Sequence, residues 1–169
     1  MKIKCLVVGE LSENCYILEN NGKAIIIDPG DEVEKIIKEI KNLKVVGVLI
    51  THHHNDHIGA LNYILRKYNL EENIVKDNSF KYKIINTPGH SSDSKTYYFY
   101  EDNVMFTGDF LFNSSIGRID LPTGSKKDML NSLTEISKYP DEIIIYPGHG
   151  SISKLGYEKK YFSYYKMIL

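Results

Sequence analysis

The sequence predicts a single domain of the α+β class, in which mixed β-sheets are flanked by helices. The chain has 169 residues, of which 42% are hydrophobic and 25% charged, a length and composition that suit one buried core. Short β-rich runs recur along the chain, and amphipathic segments separate several of them. We therefore expect one domain over residues 1–169.

Runs rich in β-branched and aromatic residues are the candidate strands. Turn-forming residues at 20–22 (NNG) and 101–103 (EDN) separate two pairs of neighbouring runs, which is typical of antiparallel hairpins. Amphipathic segments separate other runs, so we expect parallel pairs as well. The predicted strands are residues 3–8, 15–19, 24–27, 45–50, 82–85, 96–100, 104–106 and 142–145.

Four segments show the apolar spacing of amphipathic helices. The first of them carries Val33, Ile36 and Ile40 at intervals of three and four residues. A weaker pattern occupies the C-terminal region. The predicted helices are residues 31–44, 58–68, 127–139 and 157–167.

Bulk composition argues against several classes of protein. The formal net charge is −1 at pH 7, and no basic tract indicates nucleic-acid binding. The first apolar run is too short for a signal peptide, and no apolar stretch could span a bilayer. Without export signals, Cys5 and Cys15 are expected to be buried free thiols. We expect a cytoplasmic protein with no membrane or nucleic-acid partner; its oligomeric state stays open.

All six histidines follow predicted strands, and four of them lie in the stretch THHHNDH at residues 51–57. Residues two apart in an extended chain project to the same side, so His52 and His54 can hold one metal while His53 points away. Asp56 and His57, where the chain turns into a helix, can hold a second ion. This cluster predicts a two-metal site.

Three further side chains complete the predicted site. Asp109 ends the run VMFTGD, where its two oxygens could bridge two cations. His90 and His149 each follow a strand and a Pro-Gly turn, and one histidine could complete the shell of each metal. Asp28 follows another strand and is better placed as a hydrogen-bond acceptor for a ligand than as a ligand.

Each of these features also has a structural interpretation. Asn55 or Asp56 could simply cap the following helix. Asp28 in Asp-Pro-Gly could be an ordinary turn residue. The C-terminal tyrosines favour packing and surface roles over a substrate platform. Arg118 and Asp120 could either position a substrate or form a buried ion pair.

The motifs THHHNDH, TPGH, FTGD and PGHG occur in the order found in the metallo-β-lactamase superfamily, which the chain resembles over nearly its whole length. IIIDPGD looks like the first motif of that family, and GDFLFNSSIGRIDLPTGS resembles small glyoxalase II-like hydrolases. The resemblance implies an αββα sandwich with the metals at one edge. It also implies that His52, His54 and His90 bind the first metal, that Asp56, His57 and His149 bind the second, and that Asp109 bridges the two.

The expected activity is hydrolysis of thioesters of the hydroxyacylglutathione type, because glyoxalase II-like relatives cleave small-molecule thioesters. The expected cofactors are two Zn²⁺ ions, with iron or manganese possible in either site. A hydroxide bridging the metals would attack the thioester carbonyl, and Asp56 would orient the attacking oxygen.

Other activities remain open within the same resemblance. Persulfide dioxygenases share the motif set but use a single iron, and a metal-holding domain without turnover would keep the same ligands. A β-lactamase is less favoured, because lactamase branches commonly lack the bridging aspartate. Full-length glyoxalase II proteins bind glutathione through a C-terminal helical domain, and this chain ends soon after His149, so glutathione recognition is not predicted.

Overall fold

The computed structural model describes residues 1–169, and the chain divides into two compact units, Met1–Lys81 and Tyr82–Leu169. Each unit contains its own mixed β-sheet and its own helices. None of the helices has the length and apolar content needed to span a bilayer. The single-domain organisation expected from the sequence stays a prediction.

The first unit is built on a four-stranded sheet in the order β1-β2-β3-β4. Strands β1, β2 and β3 are antiparallel neighbours, whereas β3 and β4 are parallel. The predicted hairpin at residues 20–22 joins β2 to β3. These strands are β1 (Lys2–Val8), β2 (Glu13–Asn20), β3 (Lys23–Ile27) and β4 (Lys44–Leu49).

Three helices accompany this sheet. Ile36 and Ile40 from the first helix and Ile64 from the third are buried in one cluster with strand residues such as Val48. That apolar spacing is what made the helices recognisable in the sequence. The helices are α1 (Val33–Ile40), α2 (Asn55–Ile58) and α3 (Leu61–Tyr68).

Two of the predicted helical segments differ from the structure. The segment 31–44 ends early, because the amide of Lys44 donates to Gly22 O at 2.9 Å and begins the pairing of β4 with β3. The segment 58–68 is broken near Gly59. There the amide of Ala60 donates to Pro29 O at 3.0 Å instead of continuing the helical ladder.

The cysteine prediction is correct for only one of the two thiols. Both cysteines are free, and Cys15 on β2 is buried. Cys5 is exposed, so the expectation that it is buried is wrong. The reason is that side chains alternate along β1: Leu6 and Val8 are buried, so Cys5 lies on the opposite, solvent-facing side.

The second unit is built on a five-stranded sheet in the order β11-β10-β7-β6-β5. Strands β7 and β10 are parallel and the other neighbours are antiparallel, and the predicted hairpin at residues 101–103 joins β6 to β7. Three two-residue strands are too short to show a sequence period. The strands are β5 (Lys83–Asn86), β6 (Lys95–Phe99), β7 (Val104–Gly108), β8 (Leu111–Phe112), β9 (Ser115–Ile116), β10 (Ile144–Pro147) and β11 (Ser153–Lys154).

Two helices complete the second unit, α4 (Lys126–Ile136) and α5 (Leu155–Ile168). Met129 and Leu133 of α4 and Phe162 of α5 are buried in one cluster with strand residues such as Ile145. The Oγ of Ser125 accepts a hydrogen bond from the amide of Asp128 and caps α4. The predicted helices 127–139 and 157–167 are therefore confirmed, with small differences at their ends.

Candidate metal centre

Two imidazole nitrogens meet in the loop that follows β4. His52 Nε2 lies 3.0 Å from His54 Nδ1. His53, between them, instead places its Nε2 3.0 Å from Glu72 Oε1. The alternation predicted for this stretch is therefore confirmed. The imidazole nitrogens of His52 and His54 face each other, and the ring of His53 points elsewhere.

A chain of hydrogen bonds determines which nitrogen of His52 carries the proton and which has a free lone pair. The carboxylate of Asp28 can only accept, so Thr51 Oγ1 donates its single proton to Asp28 Oδ2 at 2.6 Å. Thr51 Oγ1 must then accept from His52 Nδ1 at 3.1 Å. With its proton on Nδ1, His52 carries a lone pair on Nε2, the nitrogen that faces His54.

Asp28 also orients His57 in helix α2. His57 Nδ1 donates to Asp28 Oδ2 at 3.0 Å, which leaves a lone pair on Nε2. That Nε2 lies 3.7 Å from Asp56 Oδ2. Asp28 therefore accepts a hydrogen bond from His57, as predicted, while the metal-binding role of His57 stays a prediction.

Helix α2 is held in place by glycine contacts. A Cβ added to Gly30 would lie 1.9 Å from Asp56 O, and one added to Gly59 would lie 2.2 Å from Gly30 O. Only glycine allows the backbones to approach so closely. The turn that carries Asp28 therefore fits directly against the helix that carries Asp56 and His57.

The helix-cap interpretation of Asn55 and Asp56 is wrong. His54 occupies the N-cap position of α2 and Ala60 that of α3, and neither cap makes a side-chain hydrogen bond. The polar side chains of this loop are thus not explained by helix capping.

The second unit brings together His90, Asp109 and His149. Asp109 Oδ2 lies 3.6 Å from His90 Nε2 and also 3.6 Å from His149 Nε2. Both separations exceed hydrogen-bond length. One carboxylate oxygen thus lies equally far from two imidazole nitrogens.

The orientation of His90 depends on the loop after β9. His90 Nδ1 donates to the backbone carbonyl of Arg118 at 2.8 Å, so its Nε2 carries the lone pair that faces Asp109. A Cβ on Gly117 would lie 1.9 Å from Asp109 O and 2.9 Å from His90 Cβ. Because Gly117 has no side chain, this loop can lie against the backbone of Asp109 and the side chain of His90.

The two Pro-Gly-His turns have similar sequences but different backbone conformations. Gly89 has φ 146, a value open to glycine, and its Cα faces Met129 of α4. Gly148 is not among the residues with positive φ, and its amide donates to Gly108 O at 2.9 Å. The second turn is thus hydrogen-bonded to Gly108, the residue before Asp109.

The donor sets of both units fit metal ions. With zinc–nitrogen distances of about 2.0–2.1 Å and tetrahedral angles, two ligand atoms on one ion lie roughly 3.4 Å apart. The pairs within each unit are separated by 3.0 to 3.7 Å. Imidazole nitrogens with carboxylate oxygens suit zinc, iron and manganese.

Arg118 and Asp120 form an ion pair, but not the buried one considered from the sequence. Arg118 Nη2 lies 2.7 Å from Asp120 Oδ2, and each side chain is 65% exposed. The hydrogen bond from Arg118 lowers the pKa of Asp120 to about 2. In this loop the structure assigns the contact with the site to the backbone carbonyl of Arg118.

Three residues near the proposed ligands were not singled out in the sequence. Thr51 orients His52, and Gly117 allows the approach of the loop after β9. Glu13, at the start of β2, is buried with Asp28 and His57, and its Oε1 lies 3.8 Å from His57 Nδ1. Glu13 lies 44 positions before His57 in the chain, so no local pattern links them.

Comparison with known proteins identifies the family. The sequence profile of the metallo-β-lactamase superfamily matches residues 8–81 and 70–149. The chain belongs to this superfamily, whose members bind a dinuclear metal site. The resemblance and the predicted α+β fold class of the αββα metallo-β-lactamase type are thereby confirmed.

Several individual proteins are similar to this chain over nearly the whole of both chains. The hydroxyacylglutathione hydrolase GloC of Haemophilus influenzae is 32% identical, and the match covers 95% of this chain and 96% of that protein. Among solved structures, the B3 metallo-β-lactamase BLEG-1 is 28% identical with a TM-score of 0.89, over 97% of this chain and 99% of that one. TTHA1623 in a di-iron-bound form is 28% identical with a TM-score of 0.82, over 92% and 96% of the two chains.

Proposed function

We propose that this protein is a dinuclear metal-dependent hydrolase of small-molecule thioesters of the hydroxyacylglutathione type. The observation that carries the proposal is the position of Asp109 Oδ2, 3.6 Å from Nε2 of both His90 and His149. A single oxygen between two imidazoles suits a carboxylate that bridges two cations. The 32% identity to a hydroxyacylglutathione hydrolase over nearly the whole of both chains supports the substrate class.

Seven side chains form the proposed ligand set. One cation would be held by His52, His54 and His90, the other by Asp56, His57 and His149, with Asp109 as ligand to both. Support comes from the family motifs and from the donor spacings within each unit. We propose zinc as the ion, with iron as the alternative because one neighbour was solved in a di-iron form.

Bound divalent cations supply Lewis acidity, which polarises a thioester carbonyl and lowers the pKa of water to about 7. The protein supplies orientation. Asp28 holds a proton on His57 Nδ1 and, through Thr51, on His52 Nδ1, so both rings keep Nε2 deprotonated. The Asp56 side chain is 23% exposed, and its carboxylate can accept a hydrogen bond from the attacking water and orient it.

Substitution of the bridging residue tests this proposal. In Asp109→Ala we expect kcat/KM for a hydroxyacyl thioester to fall by about 10³-fold or more, because both cations lose a shared ligand. Metal content by elemental analysis and thioester cleavage, followed by thiol release, are the measurements. Asp102→Ala, in the exposed β6–β7 turn, is the matched control and should retain activity. Unchanged turnover in Asp109→Ala would refute the bridging role.

The same preparation separates the alternatives. One iron per chain with oxygen uptake on glutathione persulfide would replace the hydrolase with a dioxygenase. Cleavage of a chromogenic β-lactam without cleavage of any thioester would favour the activity named for the BLEG-1 neighbour. Bound metal with no turnover on any of these substrates would indicate a non-catalytic metal-holding domain.

A further inference from the structure

A cavity of about 400 Å³ opens beside Asp56 in the first unit. Its walls are the tip of the β1–β2 hairpin, the residues after Pro29, and helix α2 with the glycine that follows it. Since Asp56 is a proposed ligand, the cavity lies next to the proposed site of reaction.

Glycine backbone forms part of the lining of this cavity. Gly30 and Gly59 line it without side chains, and a Cβ on Gly59 would lie 2.2 Å from Gly30 O. The two segments are therefore in direct backbone contact and cannot move closer.

Leu11 is the large apolar side chain of the cavity wall. It is 67% exposed at the hairpin tip. The tip is a defined turn, because Gly9 and Ser12 have positive φ values of 66 and 55 and the Ser12 amide donates to Gly9 O at 3.2 Å. The Gly9 amide also donates to Glu32 Oε2 at 3.3 Å, which fastens the tip to the start of α1. Leu11 is thus held beside the cavity with much of its surface uncovered.

The charge of the cavity wall has one sign. Glu10 and Asp31 are the acidic residues of the lining besides Asp56, whose charge a bound cation would offset, and no lysine, arginine or histidine lines the cavity. A carboxylate that enters would meet like charges, whereas an uncharged or cationic group would not.

We infer that this cavity receives the acyl group of the substrate, that Leu11 contacts its hydrocarbon chain, and that Glu10 makes the enzyme prefer uncharged or cationic acyl groups over anionic ones. The inference rests on the proposed function. The acyl side is assigned because thiols such as glutathione carry carboxylates of their own, which the acidic wall would repel.

The charge preference is tested with thioesters of N-acetylcysteamine, whose thiol part is uncharged. Hexanoyl, adipoyl and 4-(trimethylammonio)butyryl esters vary the charge at the end of the acyl chain. We expect the metal-loaded wild type to prefer hexanoyl over adipoyl by about tenfold in kcat/KM, and Glu10→Gln to reduce that ratio by about three- to tenfold. Glu34→Gln, an exposed carboxylate on α1 that does not line the cavity, is the matched control and should keep the wild-type ratio.

The contact with Leu11 is tested by chain length. Leu11→Ser should lower kcat/KM for hexanoyl relative to acetyl by about tenfold, because serine offers no apolar surface to the acyl chain, and an unchanged ratio would overturn the Leu11 contact. Val7→Ser, a 50% exposed aliphatic residue on β1, should not change that ratio. Metal content and Tm equal to those of the wild type would show that neither variant acts through the fold.

The outcomes separate the inference from the proposed function. A wild type that cleaves these thioesters without charge preference, or a Glu10→Gln variant that keeps the wild-type ratio, would overturn the inference and leave the hydrolase intact. A metal-loaded wild type that cleaves no thioester would overturn both.

Discussion

One carboxylate, that of Asp28, controls the protons of two histidines. Its Oδ2 accepts from His57 Nδ1 at 3.0 Å and from Thr51 Oγ1 at 2.6 Å, and Thr51 in turn accepts from His52. Asp28 has φ 51, a left-handed conformation that Asp and Asn adopt more readily than most residues. Residues that orient metal ligands commonly matter almost as much as the ligands.

Replacement of Asp28 by asparagine should weaken metal binding without unfolding the protein. Asparagine suits the positive φ, but its amide nitrogen donates and cannot accept from His57 or Thr51. We expect the Kd for zinc to rise by about 10- to 100-fold in Asp28→Asn, measured by competition with a chelating dye. Asp141→Asn, at an exposed position of the second unit, is the control. Equal zinc affinity in Asp28→Asn and wild type would contradict the orienting role.

The two thiols should react at very different rates. Burial raises the pKa of Cys15 well above its usual value, and burial also raises that of the exposed Cys5 to a smaller extent. A raised pKa means less thiolate at a given pH, so the labelling of Cys5 should still accelerate with pH in the range where an ordinary cysteine is already ionised. Mass spectrometry of maleimide-treated native protein should show one label, on Cys5, and denatured protein should show two. Labelling of Cys15 in the native protein would contradict its burial.

At the scale of elements, close backbone contacts position the segments that carry the proposed ligands. Helix α2 fits against the turn after β3 because both Gly30 and Gly59 lack a Cβ, and the loop after β9 fits against Asp109 through Gly117. The first contact also explains why the predicted helix at 58–68 is two helices, since the Ala60 amide bonds to Pro29 O. Apolar spacing predicts a helix but cannot show that a distant carbonyl interrupts it.

Substitution of Gly117 should damage the site locally. An alanine Cβ would lie 1.9 Å from Asp109 O, so the loop that supplies the Arg118 carbonyl to His90 must shift. We expect Gly117→Ala to lose about 1–3 kcal/mol of stability and to bind zinc more weakly, as measured by urea unfolding and dye competition. Gly22→Ala is the control, because a Cβ there meets nothing within 4 Å although its φ is 73. The control should lose some stability and keep its zinc affinity; wild-type zinc affinity in Gly117→Ala would contradict the proposed coupling.

At the scale of the whole molecule, bound metal should stabilise the fold. Ligand atoms at the proposed positions face one another at 3.0 to 3.7 Å, close enough to bind the same cation. An ion that binds the folded chain and not the unfolded one raises stability by mass action.

Zinc should therefore raise the melting temperature of chelator-treated protein. At a free concentration about 100 times Kd we expect a shift of about 5–10 °C, from roughly 2.7 kcal/mol of binding linkage in a chain of this size. Differential scanning calorimetry in buffer with zinc, without zinc and with magnesium measures it, and magnesium, which prefers all-oxygen sites, should have little effect. The absence of a shift under conditions where zinc binds stoichiometrically would count against a metal held by folded residues.

The sequence by itself determined the family, the α+β class and the candidate ligands. It could do so because strand and helix periods are local, and because the motifs around His52, His90, Asp109 and His149 each occupy a few consecutive residues. The short strands β8, β9 and β11 and the break near Gly59 escaped prediction, since they depend on contacts rather than on a repeated pattern.

The tertiary structure decided which nitrogen His52, His57 and His90 present and what surrounds the proposed reaction site. Asp28 lies 23 positions from Thr51 and 29 from His57, and Arg118 lies 28 positions from His90. Hydrogen bonds across such separations form only when the chain has folded, so no local motif encodes them. The same holds for the cavity beside Asp56, whose walls come from three separate parts of the first unit.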